Sequence, residues 1–187
     1  FRLLDDPISK RRTWNPRKVY LYGNHEDRIN RAINDNAQLG GTISLDDCNT
    51  LDWERHAFLK PVVIDGVTYC HYFYNPMTGR ANGGMIETRL KTVGHSFTMG
   101  HQQTLMYGVR PVAGRMHHGL VAGCFYAHDE QYLGPQGNDP WRGIIVKHEV
   151  QDGSYCPMFV SMDYLARRYG GFKGGLNEYR RATGVRA

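Results

Sequence analysis

Three histidines stand where this sequence could do chemistry: His25 in Gly-Asn-His-Glu-Asp (Gly23 to Asp27), His71 in Tyr-Cys-His-Tyr-Phe, and His101 in Gly-His-Gln-Gln. Each follows a short apolar run that reads as a strand: Val19 to Tyr22, the run after Asp65-Gly66, and the run opening Ser-Phe-Thr-Met-Gly-His. Strand termini in a layered α/β fold converge on one rim, where such folds keep their ligands. One histidine at a strand end is more often a hydrogen-bonded structural residue. Three of them, with the Asn24 amide beside His25, make the mixed nitrogen and oxygen environment that suits zinc, manganese or iron(II). Metal-assisted hydrolysis is the chemistry such a set supports.

The elements that must position these residues follow from pattern. Gly23 breaks the first strand, and Asn24 opens a helix in which Ile29, Ile33 and Ala37 recur every fourth residue until Gly40-Gly41. A second short helix is expected at Leu51 to Phe58. Asp65-Gly66 between two apolar runs predicts a type I′ hairpin turn that delivers His71 to the end of the second strand. Asn75 to Met85 reads as a loop long enough to be a lid or binding loop, and Ile86 to Lys91 as a short helix. From Leu105 the chain is β-rich, with turns at Gly134 to Pro140 and Asp152-Gly153. A closing helix begins near Met162 with Asp163 as its N-cap and stops at Gly170. Residues 1 to 18 form an irregular, basic lead-in. The expected architecture is α/β, mixed β-sheets flanked by helices, in a single domain spanning residues 1 to 187.

Composition narrows the setting. The 187 residues are 41% hydrophobic, with no apolar run near the ~20 residues of a membrane span. The formal net charge of +5 biases the surface toward phosphate-bearing partners. Cys48, Cys70, Cys124 and Cys156 show no Cys-x-x-Cys unit and predict neither a zinc ribbon nor a disulfide framework, which fits a reducing, cytoplasmic setting. Phe1 is not an initiator methionine and no signal peptide follows it, so a longer parent chain is expected.

The order of the motifs resembles the calcineurin-like metallophosphoesterase superfamily, whose motifs run Asp-x-His, Gly-Asp, Gly-Asn-His-Asp/Glu, an isolated His, and Gly-His-x-His. Gly23 to Glu26 match the third motif in full, His71 suits the fourth, and Gly100 to Gln103 match the fifth except at the last position. The strand-rich end beyond Gly123 is similar to bacteriophage-type members. The resemblance spans roughly residues 19 to 160 and implies a metallophosphoesterase-like sandwich, incomplete at its N-terminus. It implies Asn24, His71 and His101 as ligands of a second metal and Gln103 in the place of a first-metal histidine. It also implies His25 as the group beside the scissile phosphate and Glu26 as the residue that orients it. Manganese is the expected ion, with zinc or iron(II) as alternatives.

The expected activity is phosphoester hydrolysis, phosphodiesterase or nuclease-like, through a metal-bound hydroxide. DNA or RNA is the favoured substrate class, and no membrane is expected as a partner. The Asp-x-His and Gly-Asp motifs are missing, and Asp5 and Asp6 lack the glycine and strand that would make them substitutes. An upstream segment or a second chain would then complete the first metal site, and this chain alone would be weak or inactive. The alternative is a degenerate phosphoesterase fold retained as a nucleic-acid-binding or assembly module. His56, His95, His117, His118, His128 and His148 sit in no comparable motif, and the tyrosines at 20, 22, 69, 72 and 74 read as sheet packing.

Overall fold

A computed structural model describes residues 16–130 and 140–185. Asp5 and Asp6, most of the basic lead-in, and the expected Gly134 to Pro140 turn up to residue 139 lie outside the described residues. The chain divides into two units, with the boundary between Phe58 and Leu59.

The first unit is built around a strand, a helix and a second strand. β1 (Val19–Leu21) pairs in parallel with β2 (Glu54–His56), Leu21 opposite His56, and α1 (Asp27–Asp35) lies between them in sequence. The expected helix from Asn24 to Gly40 is shorter at both ends. Residues 24 to 26 form a turn, and Asn36 leaves the helix in extended conformation, its Oδ1 accepting from the Gln38 N–H to start a separate 3-10 turn at Ala37–Leu39. The helix expected at Leu51 to Phe58 is β2 instead. Backbone pairing to β1 and the Arg17 guanidinium forked onto Glu54 at 2.7 and 2.8 Å hold it extended, and neither leaves a periodic signal. Tyr22 is buried, its hydroxyl 3.2 Å from Thr50 Oγ1.

The second unit is mixed α/β. A five-stranded sheet runs in the order β3-β4-β5-β7-β6, from β3 (Val62–Ile64), β4 (Val67–Cys70), β5 (Phe97–Met99), β6 (Leu105–Val112) and β7 (Arg115–Ala122). The β4-β5 and β5-β7 pairs are parallel and the outer pairs antiparallel. The β3-β4 hairpin turns at Asp65-Gly66 with φ of 49° and 79°, as a type I′ turn requires. α2 (Ile86–Val93) is the crossover between β4 and β5. It buries Ile86 and Leu90 with Phe97, Met99 and Val121. This approach is close because Gly108 and Gly119 face each other across β6 and β7; a Cβ on Gly119 would lie 2.8 Å from Leu90 Cγ.

Side chains alternate across a sheet, so Tyr69, Thr98 and Leu120 point away from α2. β8 (Gly143–Gln151) and β9 (Ser154–Ser161) form a separate antiparallel hairpin. Its Lys147 and Ser154 reach Thr98 and His118 of the five-stranded sheet. α3 (Met162–Arg168) and α4 (Leu176–Thr183) close the chain. Ser161, not Asp163, caps α3, accepting from the Tyr164 N–H at 3.1 Å. Asp163 Oδ1 accepts instead from Leu176 N–H at 3.0 Å, tying α3 to α4.

Candidate metal centre

The three parallel strands β4, β5 and β7 end on the same edge of their sheet, and the carboxyl ends of β4 and β5 carry His71 and His101. In β4 and β5, Cys70 is registered against Met99, and the next link along is the Gly100 N–H donating to the His71 carbonyl at 3.1 Å. That bond brings the two histidines together. Their ring centres are 5.1 Å apart at an interplanar angle of 68°. Two imidazoles bound to one ion at ~2.1 Å put their ring centres ~4.5 to 5.3 Å apart, so the observed spacing fits a shared divalent ion.

The backbone at His101 is strained. Its φ is +62°, and the Gln102 N–H donates to the Gly100 carbonyl across it at 2.7 Å. An i to i+2 bond around a residue of positive φ is the rarer form of γ-turn. Holding a side-chain-bearing residue there costs about 1–3 kcal/mol and is found where a structure positions a group for use. Tyr72 completes the cluster, its ring centre 4.9 Å from that of His101 and 5.7 Å from that of His71. From sequence Tyr72 reads as a sheet-packing tyrosine, and only its position next to His71 hints at more. Among the described residues no three His, Cys, Asp or Glu side chains gather into a metal-holding group.

Gln103 follows two residues later, half-buried. Its carbonyl accepts from the Trp141 N–H at 3.0 Å; the Cys124 N–H donates in turn to the Trp141 carbonyl, and the Gly143 N–H to the Cys124 carbonyl. The loop after His71 is internally bonded: the Asn75 N–H donates to Arg80, Gly79 donates to Asn75, and Asn82 donates to Phe73.

In the first unit the Gly-Asn-His-Glu segment makes the turn from β1 into α1. The Glu26 carboxylate holds this turn, accepting from the Gly23 N–H at 2.8 Å and from the Tyr20 hydroxyl at 3.1 Å. The Asp27 N–H donates to the Gly23 carbonyl. With its backbone so fixed, His25 projects as an exposed side chain and Asn24 is half-buried, its carbonyl accepting from Arg31 at 3.3 Å. Burial and then the adjacent Glu26 charge push Tyr20 up to about 12. Asp27 and Arg31 pair at 3.5 Å along the helix surface. Asn24, His25 and Glu26 thus belong to the first unit, and His71, His101 and Gln103 to the second.

Three of the other histidines, His56, His118 and His128, have structural partners. His118 is buried, with Nδ1 2.8 Å from the Tyr107 hydroxyl, Nε2 3.3 Å from Ser154 Oγ and its ring 4.5 Å from that of Tyr155. Burial, then the nearby Lys147, lowers its pKa. His56 Nε2 lies 2.8 Å from Glu54 and His128 stacks on Tyr126 at 4.5 Å. All four cysteines are thiols outside any disulfide. Among the described residues no helix is long and apolar enough to cross a membrane. Compared with family models, curated proteins and solved structures, the chain matches none.

Proposed function

We propose that this chain belongs to a metal-dependent phosphoester hydrolase, of phosphodiesterase or nuclease type. The observation that carries the reading is the His71 and His101 pair: two imidazoles at adjacent parallel strand ends, 5.1 Å apart, one of them on a strained turn. A divalent ion held there, manganese first and zinc or iron(II) next, would supply Lewis-acid activation of water and of a phosphoryl oxygen. Imidazole suits these ions, and the remaining positions would fall to oxygen donors.

The motif resemblance gives Asn24 as a metal ligand and His25 as the group at the phosphate, where an imidazolium can neutralise developing charge or protonate the leaving oxygen. The role of Glu26 in this reading is positional, since its carboxylate fixes the turn that presents His25. α2 on one sheet face and the β8-β9 hairpin on the other are compatible with the sandwich of that superfamily. The net charge of +5 favours a nucleic-acid substrate, and the four cysteines outside disulfides favour the cytoplasm.

The test is hydrolysis of a bis-aryl phosphodiester, an aryl monophosphate, and single- and double-stranded DNA with manganese. Manganese-dependent turnover lost on His71→Ala and His25→Ala supports the proposal. Salt-sensitive DNA binding with no metal-dependent cleavage would favour the binding-module alternative.

A further inference from the structure

Lys147 lies in the middle of β8, and its ammonium is enclosed. Nζ donates to the Tyr69 hydroxyl at 3.0 Å and to the Thr98 hydroxyl, and stands 4.2 Å from the Tyr69 ring centre and 4.6 Å from that of Tyr155. Among the described residues no carboxylate pairs with it. An ammonium has three protons to donate; the two hydroxyls take two and leave one. Lys147 also lines an open cleft of about 550 Å³ whose walls include Leu120, Phe125 and Ile145. That volume lies within the ~300–1,000 Å³ of small-molecule sites, which combine apolar walls with a few placed polar groups. Neither His71 nor His101 lines it.

We propose that this cleft binds a small apolar monocarboxylate, its head accepting the third Lys147 proton and its hydrocarbon or aryl body lying along Leu120, Phe125 and Ile145. Charge complementarity selects the head. Among the described residues Lys147 is the only charged one in the lining, so one negative charge is neutralised, whereas a phosphate dianion would keep an uncompensated charge against apolar walls. This inference is independent of the phosphoesterase reading.

Desolvation lowers Lys147 to about 7, so a bound carboxylate holds the proton on and affinity falls as pH rises from 7 to 9. The other titratable groups facing the ammonium keep their charge over that interval. Burial raises Tyr69 and Tyr155 and, around the cleft, Cys124, and it lowers His118.

The experiment is calorimetric titration of the full chain with 4-phenylbutyrate and with 4-phenylbutanol. At pH 7 the carboxylate should bind about tenfold tighter than the alcohol or better, the worth of one charged hydrogen bond, and this preference should vanish by pH 9. Lys147→Met should bring the acid down to the alcohol. Ala122→Phe, which fills the cleft and leaves Lys147 in place, should abolish binding of both. Circular dichroism establishes that each variant is folded, and the wild-type comparison of acid with alcohol stands without either. Equal affinity of acid and alcohol for the wild type, no binding of either, or binding unchanged in folded Lys147→Met or Ala122→Phe overturns the proposal.

Discussion

Lys147 should make this protein more stable as the pH rises from 7 to 9. Burial lowers its folded pKa to about 7, while in the unfolded chain it titrates near ~10.4. Between those values the unfolded state binds the extra proton, so stability increases with pH; below about 7 both states are protonated and the full desolvation cost is present. At 1.36 kcal/mol per pH unit, a shift of this size caps the effect at about 4–5 kcal/mol, of which about 2 kcal/mol falls between pH 7 and 9. The Tyr69 and Tyr155 ring faces at 4.2 and 4.6 Å favour the cation by about 0.5–2 kcal/mol each and reduce the shift. A rise of about 1–2 kcal/mol is therefore expected. Cys70 and Cys124, whose thiols burial raises, pull the other way near pH 9, but equally in every variant. The assay is urea unfolding at fixed ionic strength at pH 7, 8 and 9 for wild type and Lys147→Met. The difference between them should shrink or reverse with pH, with the variant the more stable at pH 7. Parallel curves for the two proteins would refute the reasoning.

Gly119→Ala places a methyl group 2.8 Å from Leu90 Cγ and 3.1 Å from Ile86 Cδ1, an overpacking expected to cost about 1–3 kcal/mol in denaturant unfolding. Glu26→Gln removes the charge beside Tyr20 while keeping an acceptor for Gly23. Spectrophotometric titration should show Tyr20 moving down from about 12. Glu26→Ala leaves the Gly23 N–H without its side-chain acceptor and should cost about 1–3 kcal/mol. Gln103→Ala should change metal content little, because an amide oxygen is a weak ligand for a transition ion.

The parts of the fold legible in the sequence are those with local causes. Asp65-Gly66 fixes its hairpin through two left-handed residues, and Ile86 and Leu90 write the buried face of α2 four residues apart. The end positions of His71 and His101 were readable from the apolar runs before them. Their convergence follows from strand ends sharing a rim, whereas the parallel pairing of β4 with β5 that makes them neighbours leaves no local signal. β2 is not legible as a strand because its three largely exposed residues carry no period and owe their extension to β1 and Arg17. Glu26 could be read as a first-turn acid, whereas its grip on Gly23 needs the turn to be folded. Lys147 stands in no motif in the sequence; the β8-β9 hairpin buries it by setting it over Tyr69 and Thr98.

The central claim is that His71 and His101 hold one ion together. Equilibrium dialysis of the full chain against manganese, followed by elemental analysis, tests it directly. The wild type should retain about one ion per chain, and His71→Ala and His101→Ala should each lose it, because a single imidazole without its partner is a weak site. Loss in one variant with full retention in the other, or a wild type that retains none, would contradict a shared centre.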